Sequence, residues 1–170
     1  MNTNGKLSVK QLAVAGVMAA LVFVMTYLPK VPVPITGGYI HLGDGMIFLG
    51  AMLLGPVGIA SAAVGSALSD LVGGYMVYIL PTFLIKGVMA LVAWKLYKPG
   101  NVLQTALAFI LAEVVMVAGY FGYAALLLGK GIGAAASVPG NLVQGAVGLV
   151  AGFLLLQVAR RTHLEEKVSV

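Results

Sequence analysis

The sequence predicts an all-α fold, an integral membrane bundle of six transmembrane helices, on three observations. Apolar residues make up 61% of the 170, and mean hydropathy is +1.04. Charged residues make up 9%, against about 25% in soluble domains. The apolar residues fall into six runs separated by Pro and Gly. One small core cannot bury that much apolar surface, so lipid must serve as solvent. At roughly 20 residues per span the chain holds about six spans and little else, which makes residues 1–170 one membrane domain.

The first span is expected at 9–28. Pro29-Lys30 follows it with no small-residue cleavage site, so it reads as a retained span, not a signal peptide. The alternating prolines 29, 32 and 34 forbid helix and favour an extended strap. The second segment, 42–54, ends before Gly55-Pro56 and is short for a full crossing, so it tilts or starts in a re-entrant turn. The third, 57–72, is stopped by Gly73-Gly74, and the fourth, 80–97, by Lys98-Pro99-Gly100. The fifth, 102–128, is the longest, and the sixth, 138–160, runs into a polar tail.

Lysine and arginine counts orient the bundle. With the N-terminus inside, Lys6, Lys10, Lys95, Lys98, Arg160, Arg161 and Lys167 lie on the cytoplasmic side, against Lys30 and Lys130 outside. Both termini are therefore expected in the cytoplasm, and the basic residues mark topology, not a nucleic-acid surface. The unusual polar residues then collect in the outer half of the membrane, pointing to a pocket open to the outside.

A charge at the bilayer centre costs roughly 2.5–3.5 kcal/mol even on lenient scales, so Asp44, Asp70, Lys86 and Glu113 need a reason. Lys86 either snorkels outward or pairs with Asp70 or Glu113. Tyr120 lies seven positions after Glu113, on the same helical face. Asn141 and Gln144, three apart, share a face of the last segment, where they either bind a ligand or join helices. Together these groups suit a small, flat, polar heterocycle. Asp44 has an ordinary explanation as a helix cap or macrodipole partner. His41 sits beside it, after a strap whose Thr36-Gly37-Gly38-Tyr39 supplies a hinge, and a lid over the pocket is the preferred reading.

Catalytic templates fail. The chain has no cysteine, two histidines, no P-loop and no HExxH. An enzyme, a metal site, a cofactor and self-powered ATP hydrolysis are not expected. Small residues form close-packing stripes in segments one, three and six. Those of segments three and six are expected to pack inside the bundle, whereas Ala15 and Ala19, with Gly16 and Ala20, are expected to face a partner subunit.

GYIHLGDGMIFLGAMLLGPVGI, SALSDLVGGY and LPTFLIKGVMAL, in that order and spacing, resemble the substrate-binding S-components of energy-coupling factor (ECF) vitamin transporters. The likeness is greatest to members assigned to hydroxymethylpyrimidine or pyridoxine, and less to riboflavin, thiamine, biotin or folate binders. The resemblance implies capture of a vitamin at the outer face of a bacterial cell membrane. Delivery then follows docking on a transmembrane coupling protein with two cytoplasmic ATPases. Ala15 and Ala19 match the family's coupling motif. The expected substrate residues are Tyr39, His41, Asp70, Tyr78, Lys86, Glu113, Tyr120, Asn141 and Gln144. The competing readings are a self-sufficient proton-coupled transporter with Glu113 and Asp70 as relay, disfavoured by the lack of inverted repeats, and an assembly protein with no ligand.

Overall fold

The computed structural model describes residues 8–34 and 38–168. Lys6, used in the charge count, and Thr36 and Gly37 of the expected hinge lie outside the described residues. Helix α1 (Val9–Tyr27) begins in a capping box: the Gln11 backbone N–H donates to Ser8 Oγ (3.1 Å), and the Ser8 N–H donates back to Gln11 Oε1 (2.8 Å). After α1 the proline strap forms a short antiparallel ribbon of β1 (Val31–Val33) and β2 (Gly38–Ile40), with Pro32 opposite Tyr39. This ribbon is the departure from an all-α chain, and it takes the extended form that alternate prolines require.

Helix α2 (Asp44–Leu54) is 11 residues long, and α3 (Pro56–Gly73) follows at once. The reversal rests on Gly55 at φ +57° and on Pro56 in the first turn of α3. Helices α4 (Ile79–Leu96), α5 (Val102–Gly122) and α6 (Val138–Arg161) complete the bundle. A five-residue π turn (Tyr123–Leu127) extends α5, a 3-10 stretch (Gly131–Ser137) leads into α6, and a short α7 (Leu164–Val168) ends the described chain. Of the six helices α1–α6, α5 proper ends at Gly122, and the π turn carries it on to Leu127. Five are long and apolar enough to cross a membrane, and α2 is the short sixth. Many large apolar side chains point outward, among them Leu12, Val102, Leu126 and Ile132, as a lipid solvent demands and water forbids.

Successive helices reverse direction. The Tyr123 hydroxyl donates to the Val77 carbonyl at the strap end, and Arg160 donates to the Tyr97 hydroxyl (2.6 Å) at the other. The core is built on Phe48 of α2 stacked on Phe109 of α5, centroids 4.0 Å apart, with Met89, Met116 and Leu156 around them. Small residues let the backbones close up. A Cβ on Gly152 would stand 2.8 Å from Phe48, and one on Gly58 would collide with the Gly50 carbonyl. The stripes of α3 and α6 thus pack inside the bundle.

The charged core departs from expectation at one point. Lys86 pairs with Asp44, not with Asp70 or Glu113: Nζ donates to Oδ1 at 2.5 Å, and both side chains are fully buried. Asp44 therefore makes no side-chain cap on α2, although it stands in the first turn where a carboxylate meets the helix dipole. It opens the helix and points inward, because a fully buried lysine must have a carboxylate within reach. Gln144 Nε2 donates to Asp44 Oδ2 (2.7 Å), so one carboxylate joins α2, α4 and α6.

Two stability tests follow, both read as the unfolding midpoint of purified protein. Lys86→Met strands Asp44 and is expected to cost about 3–5 kcal/mol, whereas Asp44→Leu with Lys86→Met recovers most of it. Gly58→Val overpacks the α2–α3 contact and is expected to cost about 1–3 kcal/mol.

Candidate functional site

The strap is fastened to the bundle by polar contacts from both of its strands. Lys30, before β1, sits in a cage of tyrosines, its Nζ 4.2 Å from the Tyr27 ring centroid, 4.5 Å from Tyr39 and 5.2 Å from Tyr75. It also donates to the Ser69 carbonyl (3.3 Å). From β2, the Tyr39 hydroxyl donates to Asp70 Oδ1 (2.8 Å) and lies 3.2 Å from Ser69 Oγ. Burial first, and the Asp70 charge second, push the Tyr39 phenol well above its ordinary range, so it stays a donor.

His41, just past β2, is buried. Its Nδ1 accepts from the Gly43 N–H (2.9 Å), which leaves the ring proton on Nε2. Burial lowers its pKa to about 3, against the pull of Asp44. The His41 backbone N–H donates to Gln144 Oε1 (2.9 Å). Gln144 thus holds the strap with one end of its amide and Asp44 with the other.

Beneath the strap lies a small cavity lined by Tyr39, His41, Asp70, Tyr78, Thr82, Tyr120, Ala124, Ser137, Asn141 and Gln144. Seven of the nine expected substrate residues meet on this wall. Lys86 and Glu113 do not reach it. Lys86 lies below, 5.7 Å from the Tyr120 ring centroid, and Glu113 sits against α6 at Gly145 and Gly148. The wall has an aromatic side, where Tyr78 and Tyr120 stand 6.4 Å apart and Thr82 Oγ1 lies 3.0 Å from the Tyr120 hydroxyl. Asn141 and Gln144 add amides to the lining. Asp70 Oδ2 is buried with no hydrogen-bond partner among the described residues. That leaves one acceptor available to an N–H or O–H donor brought from outside.

Sequence reasoning missed Thr82 and Ser137. Thr82 stands on α4 one turn before Lys86 and one turn after Tyr78, the residue that precedes the helix, a spacing that could have revealed it. Ser137 enters from a 3-10 stretch that carries no periodic signal. At the far end, Ala15 and Ala19 are half-buried against α3: the Ala15 carbonyl accepts from Ser61 Oγ (2.9 Å), and Gly65 closes on the Ala19 backbone. Gly16 and Ala20 beside them are exposed. Among the described residues no group of three or more His, Cys, Asp or Glu could hold a metal ion.

Known proteins resemble this chain in sequence or in fold. A Pyrococcus woesei protein described as "Uncharacterized protein in gap 3'region" is 40% identical over 133 residues, covering 77% of this chain and 88% of that one. The thiamine precursor transporter HmpT of Lactococcus lactis is 32% identical over 161 residues, 92% of each chain. A solved chain described as "Structure and mechanism of the S component of a bacterial ECF transporter" superposes with a TM-score of 0.67 at 23% identity, covering 91% of this chain and 95% of that one. The model of one family, described as "ECF-type riboflavin transporter, S component", matches residues 6–161. This chain, a multi-pass membrane protein and not an enzyme, belongs to that family of ECF transporter S components.

Proposed function

We propose that the protein is the high-affinity capture subunit of an ATP-driven vitamin importer of the cell membrane, and that its cargo is a small flat heterocycle of the hydroxymethylpyrimidine or pyridoxine kind. The observation that carries this reading is the free Asp70 Oδ2 inside a cavity walled by tyrosines and amides. An aminopyrimidine or hydroxypyridine offers a flat face to Tyr78 and Tyr120 and N–H or O–H donors to Asp70. Asn141 supplies a donor and an acceptor at its edge, while the Gln144 amide is engaged by His41 and Asp44. The likeness to HmpT supports a thiamine precursor.

The cavity beneath the strap measures about 30 Å³. Pockets for small ligands run to roughly 300 Å³ or more. In this reading the wall opens to admit cargo, and the strap acts as the lid. The family description names a riboflavin transporter component, and flavin cargo is an outcome the binding assay below can return.

In this reading the strap faces outside, and both termini face the cytoplasm, where the basic residues cluster. The face of α1 that carries Ala15, Gly16, Ala19 and Ala20 meets a transmembrane coupling protein, which brings two cytoplasmic ATPases. The protein then binds cargo by itself and moves it only with those partners.

Three measurements test these proposals. Titration calorimetry with 4-amino-5-hydroxymethyl-2-methylpyrimidine is expected to show tight binding that Asp70→Asn weakens about 10- to 100-fold, the value of a charge-assisted hydrogen bond. An unchanged affinity removes Asp70 from the contact, and tighter binding of riboflavin or pyridoxine reassigns the cargo. Gly16→Trp is expected to abolish co-purification with the coupling protein and ATPases while leaving cargo affinity intact. For His41, whose folded pKa of about 3 lies below the ordinary 6.5, the unfolded chain binds the extra proton between those values. Its contribution to stability is therefore complete above pH 6.5 and is lost as pH falls toward 3. Imidazole NMR shifts are expected to report a neutral Nε2–H ring down to about pH 4.

A further inference from the structure

A second cavity lies apart from the first and shares none of its lining residues. It is a groove of about 450 Å³ between α5 and α6, walled by Ile110, Val114 and Val117 on one side and Leu142, Ala146 and Leu149 on the other. Ile110, Val114 and Leu142 are exposed, so the groove opens sideways toward lipid. Its one ionisable lining residue is Glu113.

Glu113 is 7% exposed, and neither carboxyl oxygen has a hydrogen-bond partner among the described residues. Two glycines of α6 make room for it. A Cβ on Gly145 would stand 3.1 Å from Oε2, and one on Gly148 would stand 2.8 Å from Oε1. Lys86, the nearby cation, donates to Asp44. Glu113 is thus an acid without a donor, set in an apolar, membrane-facing groove.

We propose that this groove binds an amphipathic amine, with the apolar chain along the α5 and α6 walls and the protonated amine on Glu113. The complementarity decides the occupant. A plain hydrocarbon fills the walls but leaves both oxygens bare, and a carboxylate head brings acceptors but no donor. A hydroxyl brings one donor, whereas an ammonium brings three and the opposite charge. The site is independent of the vitamin pocket.

The probes are dicyclohexylcarbodiimide, an apolar reagent for carboxyl groups, and dodecylamine, applied to the full chain in lipid nanodiscs. The carboxylic acid adds across one C=N bond of the carbodiimide, and acyl transfer to nitrogen leaves an N-acylurea with nothing expelled. Peptide mass mapping is expected to place the label on Glu113. Dodecylamine at about ten times its Kd should reduce that label roughly ten-fold, whereas dodecane and dodecanoate should not. Dodecylamine should also raise the unfolding midpoint of the parent protein but not that of Glu113→Gln. Ile110→Trp, which fills the groove and keeps the acid, should lose the label as well. Absence of label on folded parent protein, equal protection by dodecane, or stabilisation by the amine retained in Glu113→Gln would each overturn the proposal.

Discussion

The buried Asp44–Lys86 pair is the constraint on which the rest of the structure depends. Two opposite charges in a lipid-bathed bundle are tolerable only if they meet and their remaining valences are filled. Asp44 opens α2, Lys86 lies on α4, and Gln144 of α6 fills the second carboxylate oxygen. Three helices are therefore held in one register by a single carboxylate. The glycines of α6 serve the same end, because a side chain at Gly148 would press on both Asp44 and Glu113.

The same network reaches the surface. Gln144 takes the backbone N–H of His41 on its carbonyl while its amide nitrogen holds Asp44. The strap and the charged core are two ends of one hydrogen-bonded chain. A ligand that competes for Gln144 acts on the strap and on the helix contacts together. The second strap attachment, Tyr39 to Asp70 with Lys30 in its tyrosine cage, anchors the strap to α3 in a similar way. Lifting the strap exposes Asp70, the group whose second oxygen is free.

The polar residues divide by depth and by direction. Those near the strap converge on a cavity with both aromatic and amide walls, while Glu113 turns toward the α5–α6 groove. The outward face of α1 presents Gly16 and Ala20, and Ala15 and Ala19 border α3. Cargo, lipid-side ligand and partner subunit would then meet three different surfaces of one small bundle.

The amino-acid sequence alone determined the helices, their order, the breaks at Gly55-Pro56, Gly73-Gly74 and Lys98-Pro99-Gly100, and the extended strap. These follow from local rules: hydropathy over some twenty residues, proline's missing N–H and glycine's freedom at positive φ. Seven residues of the cavity wall were also legible, because polar side chains in apolar helices have few places to go. Tertiary structure alone decided that Lys86 would choose Asp44 over Asp70 and Glu113. Partner choice depends on distances between α2, α4 and α5, and spacing along the chain does not encode the rotation of one helix against another. For the same reason Glu113, placed on the right face beside Tyr120, ended against the glycines of α6 and not in the cavity.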